Sequence, residues 1–88
     1  MEQEEIFPGQ IRAARGLLGI SQVQLAEKAG FSSMTVKRAE GAGKPYPSPD
    51  AIAAIRAALE VAGVIFVDEN GEGPGVRLRK DRAGNTGP

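Results

Sequence analysis

The chain has 88 residues, 11 basic and 11 acidic side chains, and neither cysteine nor histidine. Its length allows one small domain. The missing cysteines exclude disulfides and thiolate metal sites, and the missing histidines remove the commonest general base and zinc ligand, so no cofactor, metal or catalytic centre is expected.

A core of this size supplies only a few kcal/mol of net stability, which makes a second subunit the remaining stabiliser. No apolar run approaches the roughly 20 residues that span a bilayer, and acids stand where a signal peptide needs a basic region. A soluble cytoplasmic protein, nucleoid-associated, is the expectation. The neutral total hides an uneven distribution. Residues 10–48 carry Arg12, Arg15, Lys28, Lys37, Arg38 and Lys44 against Glu27 and Glu40, whereas acids predominate in residues 1–9 and exceed bases by one from residue 49 onward. Phosphate contact depends on such a local field and not on the sum.

In chain order, residues 1–7 read as an acidic, flexible head. A first helix is predicted from Pro8 to Leu18: Ile11, Ala14 and Leu18 share one apolar face, and Gly19 is a natural stop. In ISQVQL, Ser21 is an N-cap and Gln24 completes a capping box, with Ile20 and Leu25 placed as a hydrophobic staple across it. The second helix then runs to Ala29, followed by Gly30 in the left-handed position. Phe31 and Val36 repeat the staple around Ser32, so a third helix runs from about Ser33 to Glu40. Gly41-Ala42-Gly43 ends it, and KPYPSP is an extended linker stiffened by prolines. Ser48 caps a fourth helix, with Pro49 at its first position and Asp50 at the positive end of the dipole. Ile52, Ile55, Leu59 and Ala62 form its buried stripe, and Gly63 closes it. Val64-Ile65-Phe66-Val67 is β-branched and aromatic, Asn70-Gly71 and Gly73-Pro74-Gly75 mark a loop, and VRLRK alternates with period two. Residues 64–80 therefore read as a β-hairpin, and 81–88 as a disordered tail. The fold class is mostly α, four helices (residues 8–63) followed by the hairpin.

Two short helices joined by a three-residue turn containing glycine make a helix-turn-helix. Ala26 is small where two helices approach closely, and Leu25 and Val36 point to a shared core. At about 100° per residue, Ser33, Met34, Lys37 and Arg38 share one arc of the third helix, with Val36 and Ala39 opposite. That arc offers a hydroxyl, a flexible apolar arm and two cations. Arginine can bond guanine in bidentate fashion in the major groove, where an apolar group meets a thymine methyl. Two adjacent cations are ordinarily a solvated face. Here all four outward positions suit DNA together, and the flanking helices are in place.

From Gln10 to about Ala62 the sequence resembles the Cro/repressor-type (XRE-like) helix-turn-helix family of bacterial and phage regulators. The resemblance is carried by QIRAARGLLGISQVQLAEKAGFSSMTVKRAEG and the proline-initiated helix after it. It implies that Gln22 bonds a phosphate and braces the start of the recognition helix. It implies base reading by Ser33, Met34 and Arg38, with Lys37 beside them reaching bases or phosphate, and it sets Ser32 and Lys44 near the DNA backbone. Arg15 and Glu40 match a structural pair that bridges the first and third helices in some members. Two departures stand out. Ala39 occupies a position where the family has Ile or Leu, and the hairpin replaces the family's fifth helix and its usual dimer contact.

Val64 and Phe66 fall on one face of their strand, Ile65 and Val67 on the other. One face can cover the helices; the other would stay wet, which is costly. The four are therefore expected at a homodimer contact in which two hairpins share a sheet or pack together. Such a dimer sets two recognition helices about one DNA turn, roughly 34 Å, or a multiple apart on a pseudo-palindrome. Arg77, Arg79, Lys80 and Arg82 either add phosphate contacts or keep an edge strand soluble. The second role is favoured because Asp81 and the acidic loop lie nearby. The leading expectation is a sequence-specific transcriptional regulator of double-stranded DNA, acting as a repressor. The alternative is an antitoxin or interaction module of the same fold that binds a toxin partner. An enzyme is the weakest class, because the nucleophile-plus-base sets need groups this chain lacks.

Overall fold

The computed structural model describes residues 6–80. Four helices, α1 (Pro8–Leu18), α2 (Gln22–Ala29), α3 (Ser33–Ala39) and α4 (Pro49–Val61), precede two strands, β1 (Val64–Val67) and β2 (Gly75–Leu78). The expected acidic head and polar tail lie, for residues 1–5 and 81–88, outside the described residues.

Each helix start has a local cause. The Gln10 side-chain oxygen accepts from the Phe7 N–H at 2.8 Å, closing the first turn of α1 behind Pro8. At α2 the capping box is reciprocal: Ser21 Oγ accepts from Gln24 N–H at 3.0 Å, and Gln24 Oε1 accepts from Ser21 N–H at 2.8 Å. Ser32 and Ser48 cap α3 and α4 through the N–H groups of Thr35 and Ala51, each at 3.2 Å. Gly19 (φ 70°) and Gly30 (φ 80°) end α1 and α2 in the left-handed region, where a side chain would be strained.

Ile11, Ala14, Leu25, Val36, Ala39, Ile55 and Leu59 are fully enclosed and form one core with Ile6, Ala26, Val64 and Phe66. The buried stripe of α4 is Ala51, Ile55 and Leu59, while Ile52 and Ala62 are half-buried at its margin. Ile6, within the segment expected to be a flexible head, is 3% exposed. It stands five positions before Ile11, the same spacing as Ile20 to Leu25 and Phe31 to Val36, and both isoleucines are buried in the common core. This is the staple pattern across the start of α1.

The strands pair antiparallel in the register Val64–Leu78, Ile65–Arg77, Phe66–Val76 and Val67–Gly75. Val64 and Phe66 turn into the core, and Val76 and Leu78 pack beside them. Of the four residues expected at a subunit contact, Val64 and Phe66 are 2% and 8% exposed and packed within the chain's own core. Ile65 and Val67, half-buried, occupy the other face. Arg56 on α4 lies over the Phe66 ring at 5.0 Å from its centroid and pairs with Glu60 at 3.0 Å, joining helix and hairpin. Arg79 donates from its backbone N–H to Gly63 O and from Nη1 to Glu60 O, closing the end of α4. That is a third role for a cation expected either to touch phosphate or to keep an edge strand soluble. Arg82 lies outside the described residues.

Candidate nucleic-acid interface

The position of α3 is set from its rear. Val36 and Ala39 are enclosed, and the residue that closes the helix, Glu40, is 6% exposed. Its carboxylate receives Arg15 twice, Nε to Oε2 at 2.7 Å and Nη2 to Oε1 at 3.0 Å. Gln22 Nε2 donates to the same Oε1 at 2.9 Å. Three helices therefore meet at one carboxylate. A planar guanidinium suits this two-pronged geometry, and a nearly enclosed carboxylate requires such partners. The hydrogen bond to Glu40 pushes the Arg15 guanidinium further above its ordinary range, desolvation opposes this, and the carboxylate's charge adds to the upward shift.

Two more polar residues, not singled out from the sequence, complete the support. Arg12 Nη1 donates to the main-chain carbonyl of Glu40, satisfying an acceptor left open at the end of α3. Glu40 itself keeps a right-handed φ of −89°, and the left-handed turn follows at Gly41 (φ 103°), where Ala42 N–H closes back on Lys37 O at 3.0 Å. Gln10 is 6% exposed, and its Nε2 donates to Gly75 O at 3.0 Å and Val67 O at 3.5 Å, fastening α1 to the loop end of the hairpin. Both residues sit on α1 with Ile11, Ala14 and Arg15. The only sequence signal for Gln10 was its position three residues into a helix that lacks a Ser, Thr, Asp or Asn cap.

The front of α3 is otherwise disposed. Met34 is 47% exposed, Lys37 is exposed, and Ser33 and Arg38 are half-buried. Among the described residues, no hydrogen bond or ion pair engages the side chains of Met34, Lys37 or Arg38. Ser32 Oγ is engaged in its own turn, with Thr35 N–H at 3.2 Å and Thr35 Oγ1 at 3.1 Å. Lys44 is exposed on the linker, before a cis peptide bond to Pro45. Gln22 is half-buried at the first position of α2.

The arrangement offers one exposed arc with two cations, a thioether and a hydroxyl, carried on a helix whose other face is locked into the core. Such an arc is suited to groove contacts and not to bond-making chemistry. Among the described residues, no helix is long and apolar enough to cross a membrane. No curated protein matches the chain. A helix-turn-helix family model matches residues 11–65, from the core isoleucine of α1 into the first strand. That span exceeds half of the 88 residues and includes all of α2, α3 and α4. The chain belongs to the Cro/repressor-type, XRE-like helix-turn-helix family, a family of DNA-binding regulators.

Proposed function

We propose that the protein is a sequence-specific transcriptional regulator that acts as a homodimer, lays α3 in the major groove and represses by occupying its operator. Ser33, Met34, Lys37 and Arg38 read base edges, with Lys37 also within reach of phosphate. Gln22, Ser32 and Lys44 contact the DNA backbone and set the register. The observation that carries this reading is the contrast between the two sides of α3: an enclosed apolar rear and a front whose two cations have no internal partner among the described residues.

Repression needs no more than occupancy of a promoter, which a domain of this size can supply. Ile65 and Val67 form the subunit contact in this reading. They are the β1 residues not committed to the core, and a two-fold pairing through them would present two copies of α3 to a pseudo-palindrome.

Selection of bound duplexes from a random library, with mass measurement of the complex, tests all of this together. Enrichment of a two-fold symmetric site bound by two chains is the expected result. Recovery of no sequence preference would overturn the reading. A complex containing an unrelated protein in place of the second copy would favour the antitoxin alternative.

A further inference from the structure

Glu40 does more in this structure than pair with Arg15. Its Oε1 accepts two hydrogen bonds, from Arg15 Nη2 at 3.0 Å and from Gln22 Nε2 at 2.9 Å. A carboxylate only accepts, so the Gln22 amide must turn its nitrogen, and not its oxygen, toward Glu40. The carboxylate is itself immobilised: its side chain is 4% exposed, and Arg15 Nε holds Oε2 at 2.7 Å. A fixed acceptor thus dictates the orientation of a longer, half-buried donor at the first position of α2.

We propose that Glu40 is a positioning residue for DNA binding. It holds Gln22 so that one amide hydrogen is used internally and the second is presented to the DNA backbone. The proposal rests on the reading of Gln22 as a backbone contact. Free in water, a glutamine side chain samples many rotamers, and ordering it on binding weakens the complex. Here the ordering is completed on folding. Glu40 touches no DNA in this scheme; it acts through Gln22, and Arg15 acts through Glu40.

Backbone contacts are independent of sequence, so the test uses a fluorescein-labelled duplex of random sequence at low salt. Binding is measured for the full chain, Gln22→Ala, Glu40→Gln and the double variant, with melting temperatures alongside. A side-chain amide at position 40 can donate as well as accept, so it no longer dictates the orientation of Gln22. Gln22→Ala is expected to weaken binding by about two- to tenfold in the native background. In the Glu40→Gln background the same substitution should have almost no further effect. An equal loss in both backgrounds would leave Glu40 a purely structural residue and overturn the proposal.

A measurement on the unaltered protein covers the case in which Glu40→Gln does not fold. The Gln22 Nε2 protons should exchange with solvent more slowly than those of Gln24, whose amide is engaged through its oxygen. Equal exchange rates would overturn the proposal. The two readings also fail differently. If Gln22→Ala is silent while Arg38→Ala still loses selectivity, the positioning role is wrong and the DNA reading stands. If the native chain binds no duplex, the DNA reading itself is wrong.

Discussion

The side-chain amide of Gln10 donates to the carbonyl of Gly75 at 3.0 Å, across 65 positions of sequence. The same amide accepts from Phe7 N–H, so one nearly enclosed side chain starts α1 and anchors the hairpin. Replacing Gln10 by Ala would strip partners from groups at both ends. The expected cost is about 1–3 kcal/mol, the penalty for leaving buried polar groups unpaired. Urea denaturation would check it: a lower midpoint with unchanged slope is the expected signature.

Arg15→Ala leaves the Glu40 carboxylate enclosed with Gln22 as its only side-chain partner among the described residues. Breaking a buried pair by removing one partner costs about 3–5 kcal/mol, and the 23% exposure of Arg15 lowers the expectation to about 2–3 kcal/mol. Adding Glu40→Leu to that variant should restore part of the loss, since no unpaired charge then remains. Thermal melts of the single and double variants are the measurement. No recovery in the double variant would show that packing, and not the stranded charge, carries the loss.

Arg38→Ala is expected to leave the melting temperature within a few degrees of the native value, because the half-buried side chain makes no hydrogen bond or ion pair among the described residues. On the selected duplex it should cost about 1–3 kcal/mol and relax preference at one base pair. Full retention of selectivity would remove Arg38 from the reading face.

Salt dependence separates phosphate contacts from base contacts. With Lys37 and Lys44 on phosphate in each of two subunits, affinity should fall roughly a hundredfold between about 50 and about 200 mM salt. Lys44→Ala should weaken all sequences alike and reduce the slope by about one for each phosphate that the lysine neutralises. A slope unchanged by Lys44→Ala would place that cation away from the backbone.

Charge placed on the hairpin distinguishes its two faces. Ile65→Lys is expected to preserve the fold and shift sedimentation toward monomer, because Ile65 is only half-buried. Val64→Lys should unfold the chain, because Val64 is 2% exposed within the core. An Ile65→Lys variant that remained dimeric would move the subunit contact elsewhere.

What the sequence made legible was short in range. Caps at Ser21, Ser32 and Ser48 bond to N–H groups three residues on, so a window of a few residues contains the whole cause. Helix bounds followed from them. The roles of Gln10 and Arg12 could not be seen this way, since their partners lie 65 and 28 positions distant. A glutamine on a helix surface carries no mark that separates an anchor from a solvated side chain. In β1, alternation separated Val64 and Phe66 from Ile65 and Val67, but two apolar faces look alike until the helices claim one. Ile6 was hidden differently: its staple spacing to Ile11 was present, yet the acids before it gave the whole head the look of a tail.

The division between the rear and front of α3 has a practical consequence. Glu40, Arg15, Gln22 and Arg12 fix the helix without drawing on Met34, Lys37 or Arg38. Those outward positions form an exchangeable cassette, whose side chains can be rewritten without repacking the scaffold. A panel randomised at Ser33, Met34, Lys37 and Arg38 should therefore retain folding in most members while diversifying the sequences they select.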